Sequence, residues 1–205
     1  LNFGDLARFE PFCKNWGTSR GGAIDRYYID AFLEAELRGC RGNFLECGGM
    51  RYRPFVPRQN VVRYDVVDID GTVPGLTIRD DIQDLRSLAS NSYHVVICTQ
   101  VLQYVDDPGR AIAELHRILR RGGRLFVSVP LIEKDHLRMG DRWRFTKASM
   151  QRLLSPFRTI EVSGCGNLLS SVCYLVGLGQ EDIEEKALAV ESSEFYHVIV
   201  AKAKK

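Results

Sequence analysis

With 205 residues, 45% of them hydrophobic and 26% charged, the chain suffices for one domain with a proper core and is too short for two comfortable ones. A formal net charge of +2 excludes a global electrostatic pull toward nucleic acid, and no apolar run approaches the roughly 18 residues that span a bilayer. The opening LNFGDLARFEPF lacks the basic-then-apolar order of a secretory signal and has no initiator Met, as in a processed form or a piece of something longer. Six cysteines without a CxxC pair argue for a reducing compartment, hence a cytoplasmic location, and against a cysteine-held metal ion.

The elements alternate. Ile24 to Leu37 carries Ile24, Tyr28 and Phe32 at helical spacing and stops at Arg38-Gly39. A strand over Asn43 to Cys47 follows, then a second over Val61 to Val67 and a short third around Leu76 to Arg79. Ile82 to Leu88 reads as a helical turn, and Tyr93 to Thr99 as a buried fourth strand. Pro108 to Leu119 is an amphipathic helix that Arg120-Arg121-Gly122-Gly123 closes, basic in its last turn. A fifth strand runs from Arg124 to Val129. Thr146 to Leu154 then reads as a helix, Thr159 to Val162 as a strand, Leu168 to Leu178 as a helix and Phe195 to Ala203 as a last strand. No repeat or linker divides them, so one domain over 1–205 is expected.

The chemistry concentrates at strand ends. NFLECGGMRYRPF, residues 43–55, is a buried strand that ends in Glu46 and breaks into Gly48 and Gly49, a backbone able to turn sharply beside a ligand. A dinucleotide dehydrogenase would need GxGxxG here, whereas Met50 and Arg51 would crowd a pyrophosphate. A ligand without phosphates is less demanding. Asp65, with Asp68 competing, stands where such sheets set a carboxylate against ribose hydroxyls. Asp80-Asp81-Ile82 follows the third strand, where a carboxylate can accept from an adenine amino group. Each acid alone reads better as a solvated loop residue. Three in order at three successive strand ends do not.

The succession resembles the class I S-adenosylmethionine-dependent methyltransferases with a methyltransferase type 11 core. LECGG at 45–49, TIRDDI at 77–82, CTQVLQYVDDP at 98–108, HRILRRGGRLFVSVP at 116–130 and GDRWRFT at 140–146 carry the likeness. The resemblance implies a doubly wound, Rossmann-like α/β sheet of seven strands in the order 3-2-1-4-5-7-6, the last antiparallel. It makes Glu46, Gly48 and Gly49 the methionine-side turn, Asp65 the ribose acid, Asp81 and Ile82 the adenine contact, and Gln100 the neighbour of the sulfonium. The fuller glycine pattern of most such enzymes is missing after Gly49.

Residues 1–39 look like the N-terminal lid of bacterial methyltransferases associated with glycan assembly. Arg20 and Arg26 would supply donors, and Tyr27 and Tyr28 flat faces, for a small-molecule or sugar acceptor. EKDHLRMGDRWRFT at 133–146 is a second wall, with His136 and Asp141 as possible general bases and Trp143 and Arg144 against the acceptor. In the competing structural reading, Arg144 pairs an acid and Thr146 caps the next helix. The basic group Arg117, Arg120, Arg121 and Arg124 is accounted for by a helix C-terminus. The expected activity is methyl transfer from S-adenosylmethionine, at oxygen, with no metal. The competing activities are a non-catalytic binding module on the same fold and a nicotinamide-dependent oxidoreductase.

Overall fold

In the computed structural model, residues 4–205 are described, apart from the Arg138 side chain, so the first three residues of the expected 1–39 lid lie outside the described residues. Seven strands form one sheet in the order β3-β2-β1-β4-β5-β7-β6. They are β1 (Gly42–Cys47), β2 (Val61–Asp68), β3 (Ile78–Arg79), β4 (Tyr93–Thr99), β5 (Leu119–Pro130), β6 (Thr159–Cys165) and β7 (Val198–Lys204). The first five are parallel, and β7 runs antiparallel to both β5 and β6. This is the doubly wound order expected from the sequence.

Strand alternation builds two apolar layers. Leu45, Val96 and Leu125 face one side of the sheet; Phe44, Val95 and Phe126 face the other. Helices α2 (Pro108–Ile118) and α3 (Lys147–Leu153) cover the first face through Ile112, Leu115 and Met150. Helices α1 (Ile24–Leu37), α4 (Leu168–Leu175) and the short α5 (Glu185–Leu188) cover the second through Ile29, Leu33, Tyr174 and Leu188. Polar caps set where several helices start. Asp107 accepts from the Gly109 and Arg110 amides, and Thr146 and Asn167 each form a capping box with a serine three residues on.

Three boundaries differ from the sequence reading, each for a local reason. The stretch 82–88 is turns, because the Asp81 carboxylate takes the Gln83 amide and the Glu114 carboxylate takes the Leu85 amide. Arg120 to Gly123 belong to β5, where the pairing with β4 slips between Tyr93 and Val95; α2 has already ended at Ile118. Helix α4 stops at Leu175, just before Gly177 (φ 77°), whose absent Cβ leaves room for the Cys13 carbonyl. That close contact fastens the opening segment to the α4–α5 connection, and Phe12 and Gln180 add backbone hydrogen bonds to Val176 and Gly22.

Candidate active site

The carboxyl ends of β1, β2 and β4 open on a cavity of 480 Å³ whose wall includes Gly48, Asp68, Asp81, Ile82 and Gln100. Gly48 has φ 86°, and a Cβ there would stand 3.0 Å from the Val101 side chain, so glycine suits both the turn and the close wall. Gln100 sits just past β4 with φ 54°, a left-handed backbone that is strained for glutamine. Its side-chain oxygen accepts from Gln103, and its amide donates to the Ser128 carbonyl on β5.

A second cavity of 580 Å³ adjoins the first, with Arg26, Gln100, Tyr104 and Met139 common to both. Its further walls include Trp16, Asp25, Glu133 and Tyr174. Trp16, with φ 51°, is the second residue of this site held in the left-handed region, a conformation costly for a bulky side chain. Glu133 Oε1 accepts a long 3.4 Å hydrogen bond from the Tyr174 hydroxyl. Its Oε2 is buried and makes no full hydrogen bond among the described residues, although the side chain of Trp16, whose indole nitrogen is likewise unpartnered, lies close enough to favour the charged form. Burial, opposed by Arg144 and aided by the charge of Asp25, pushes the Glu133 carboxyl up to about 7. Burial likewise raises Asp25, whose one ion-pair partner among the described residues is Arg26 at 3.7 Å.

The residues singled out from sequence fall into two groups. Gly48, Asp81, Ile82, Gln100 and Arg26 line the paired cavities. The others stand outside them. Glu46 accepts from the Arg51 and Tyr52 amides and the Tyr64 hydroxyl and so braces the turn after β1. Gly49, at φ 144°, is part of that turn but not of the wall. Asp65 lies inside β2, bound to the Tyr93 hydroxyl at 2.7 Å and to Arg63 at 2.6 Å, while Asp68 at the strand end lines the cavity.

On the acceptor side the polar groups are also engaged elsewhere. Arg20 grips Asp182 with two nitrogens, and Tyr28 donates to the Leu188 carbonyl while Tyr27 meets its ring edge-on. Trp143 donates to the Val105 carbonyl. Asp141 takes two nitrogens of Arg144 and the His136 amide; burial works against its charge, but these donors outweigh it and hold the carboxyl below its ordinary range. The imidazole of His136 meets the Tyr104 hydroxyl at 3.3 Å and the edge of Trp16, behind the cavity wall. Sequence reasoning passed over Glu133, Asp25, Tyr104 and Tyr174. For Glu133 a signal existed, since it stands three residues past the end of β5 on the ligand side of the sheet.

The paired cavities suit S-adenosylmethionine in donor chemistry and in volume, within the roughly 300–1,000 Å³ typical of small-molecule sites. Gly48 would lie against the aminocarboxypropyl arm, Asp68 against ribose, and Asp81 with the Ile82 amide against adenine. Among the described residues no group of three His, Cys, Asp or Glu side chains is placed to hold a metal ion, and no helix is long and apolar enough to cross a membrane.

Comparison with known proteins agrees. A methyltransferase domain family matches residues 53–127. A thiol S-methyltransferase of Homo sapiens is 48% identical over 44 residues, 22% of this chain and 18% of that protein. A ubiquinone biosynthesis O-methyltransferase of Xylella fastidiosa is 25% identical over 142 residues, 60% of this chain and 58% of that protein. The chain thus spans less than two thirds of the length of these curated relatives. Among solved structures, the N-methyltransferase NodS of Bradyrhizobium japonicum, in complex with S-adenosylhomocysteine, superposes with a TM-score of 0.58 at 15% identity, covering 98% of this chain and 94% of that one. These three proteins methylate at sulfur, oxygen and nitrogen by name, so likeness alone selects no acceptor atom. Residues 53–127 thus match a methyltransferase domain family, and the chain as a whole has the fold of solved methyltransferases such as NodS.

Proposed function

We propose that the protein transfers a methyl group from S-adenosylmethionine to a hydroxyl of a small molecule or sugar held in the cavity of Trp16, Tyr104, Glu133 and Tyr174. The observation that carries this is the junction of the two cavities at Gln100, Tyr104 and Met139. When bound, S-adenosylmethionine supplies an electrophilic methyl on a sulfonium. The chain has to align the acceptor with it and take up one proton. Alignment falls to the aromatic walls and to Gln100, whose backbone is fixed by its bond to Ser128. The proton falls to Glu133. Glu133 would take up the acceptor's hydroxyl proton on Oε2, the buried oxygen that makes no full hydrogen bond among the described residues. Neither His136 nor Asp141 is as well placed: the histidine is outside the wall and the aspartate is spent on Arg144.

Thermal unfolding with S-adenosylhomocysteine, NAD serving as control, tests the first half. Ligand at about a hundred times its dissociation constant adds about 2.7 kcal/mol, a rise of about 5–10 °C for a domain of this size. A shift with NAD alone would return the oxidoreductase reading, and no shift with either would remove the cofactor assignment. Methyl transfer from labelled donor to a panel of sugars, nucleotide sugars, phenols and amines tests the second half. Product from amines alone would overturn the oxygen assignment, and no product from a cofactor-binding protein would favour a non-catalytic module.

A further inference from the structure

At the opposite end of the sheet lies a cavity of 410 Å³ walled by Arg41, His94, Arg120, Arg121 and Arg124 together with Gly39, Gly122 and Gly123. These groups converge from separate places: Arg41 from the loop before β1, His94 from the start of β4 and the other three arginines from the slipped opening of β5. None of the four arginines makes an ion pair among the described residues, and no carboxylate side chain lines the cavity. Arg124 also borders a neighbouring hollow with Glu36 and Glu161, but both of those carboxylates are bonded to Lys202. Four cations in one place are notable in a chain whose formal net charge is only +2.

A hydrogen-bond mismatch sharpens the point. The Asn43 amide donates to His94 Nδ1 at 3.0 Å, which places the proton of the neutral ring on Nε2. That Nε2 stands 3.1 Å from Arg120 Nη1, so two donors face each other with no acceptor between them. Burial and then the charge of Arg120 hold the imidazole below its ordinary range, which keeps the ring in this neutral form. The helix-terminus account of these basic residues does not apply, because α2 ends at Ile118 and its last turn carries His116 and Arg117 instead.

We infer that this cavity binds a di- or triphosphate group, whose oxygens would accept from His94 and Arg120 together and pair with Arg41, Arg121 and Arg124. Guanidinium forks match phosphate oxygens in pairs. The site is a concave pocket with its cations grouped at one place, a shape that suits a compact anion. It stands at the amino-terminal ends of β1 and β4, so it is independent of the cofactor reading.

Calorimetric titration of the intact chain with sodium tripolyphosphate, in magnesium-free buffer of low ionic strength, tests this, with sulfate as the comparison and ATP as a further arm. Tripolyphosphate should bind at least about tenfold more tightly than sulfate. The double substitution R120A/R121A and the separate R41A, both on exposed side chains, should each weaken it about tenfold or more while the thermal shift with S-adenosylhomocysteine stays as in the parent. ATP binding that is tighter than tripolyphosphate and sensitive to R41A would support a nucleotide as the source; weaker ATP binding would support a free oligophosphate. Tripolyphosphate that binds no better than sulfate, or binds R120A/R121A as it binds the parent, would overturn the assignment.

Discussion

Two carboxylates at the ligand end of the sheet behave in opposite ways. Glu46 is the penultimate residue of β1 and Glu133 follows β5; desolvation raises both. Glu46 spends its two oxygens on two amides and the Tyr64 hydroxyl. Among the described residues Glu133 has one long bond from Tyr174 and one oxygen that meets only a loose approach from the Trp16 side chain. Burial alone therefore does not mark a reacting group. The count of satisfied oxygens does, since a buried acceptor left bare costs about 1–3 kcal/mol unless a ligand or proton meets it. One acid builds the turn beside the cofactor cavity. The other is left open toward the acceptor.

The contrast breaks most sharply under substitution of the open acid. Glu133→Gln should lower turnover of a hydroxyl acceptor by about 10²–10⁴-fold, the usual worth of a general base, with the S-adenosylhomocysteine thermal shift preserved. In the parent, turnover should rise with pH through about 7, where the Glu133 carboxyl titrates. That rising limb should vanish in the variant. A variant that keeps both its rate and its limb would move the base elsewhere.

The saturated acid should fail in a different way. Glu46→Ala leaves the Arg51 and Tyr52 amides and the Tyr64 hydroxyl without their acceptor. We expect a loss of about 3 kcal/mol, read as a fall in Tm of about 6–12 °C. Glu46→Gln retains one carbonyl acceptor and should fall less. If Glu46→Ala unfolds like the parent yet loses cofactor affinity, the acid touches the ligand and the contrast collapses.

The strands were legible because apolar runs, glycine stops and strand-end acids recur along the chain, and the resemblance those motifs carry supplied their order in the sheet. The site was legible only in part. Apolar character ends the second strand at Val67, one residue short of its actual end, but the resemblance sets the ribose acid at Asp65, which is locked to Tyr93 inside β2, three residues before Asp68 at the cavity. The acceptor side depends on long-range pairings that no local pattern reveals: Arg20 with Asp182, Tyr28 with the Leu188 carbonyl, Tyr174 with Glu133. Aromatic and arginine residues near the opening segment suggested ligand contacts, and most of them hold the segment in place. Arg144 and Thr146 take the structural roles that the sequence offered as the alternative.

Asp65 and Asp68 give a smaller test of the same distinction between a bonded acid and an open one. Asp68→Asn should weaken S-adenosylhomocysteine binding about tenfold, in keeping with about 1.5 kcal/mol for a charged hydrogen bond to ribose. Asp65→Asn should leave that affinity unchanged. The reverse pattern would restore Asp65 as the ribose acid and require β2 to end earlier than it does here.

The smallest expected effect concerns stability and pH, and it separates the two buried acids without any acceptor. The folded-state value of Glu133 is about 7 against an ordinary 4.5, so the folded protein holds a proton there that the unfolded chain releases. Its favourable contribution is complete below pH 4.5, declines as pH rises, and is lost once pH passes about 7, where a charged carboxylate remains in the cavity. Glutamine keeps the neutral shape at every pH. The Tm of Glu133→Gln relative to the parent should therefore climb between pH 4.5 and 7 and level off above, within the few degrees that one buried group commands. Glu46→Gln should stay below the parent throughout that range, because the carboxylate it replaces is held by three donors that an amide cannot all satisfy. A flat difference for the Glu133 variant would mean that its Oε2 finds a partner in solution, and the open acid would then be as structural as the closed one.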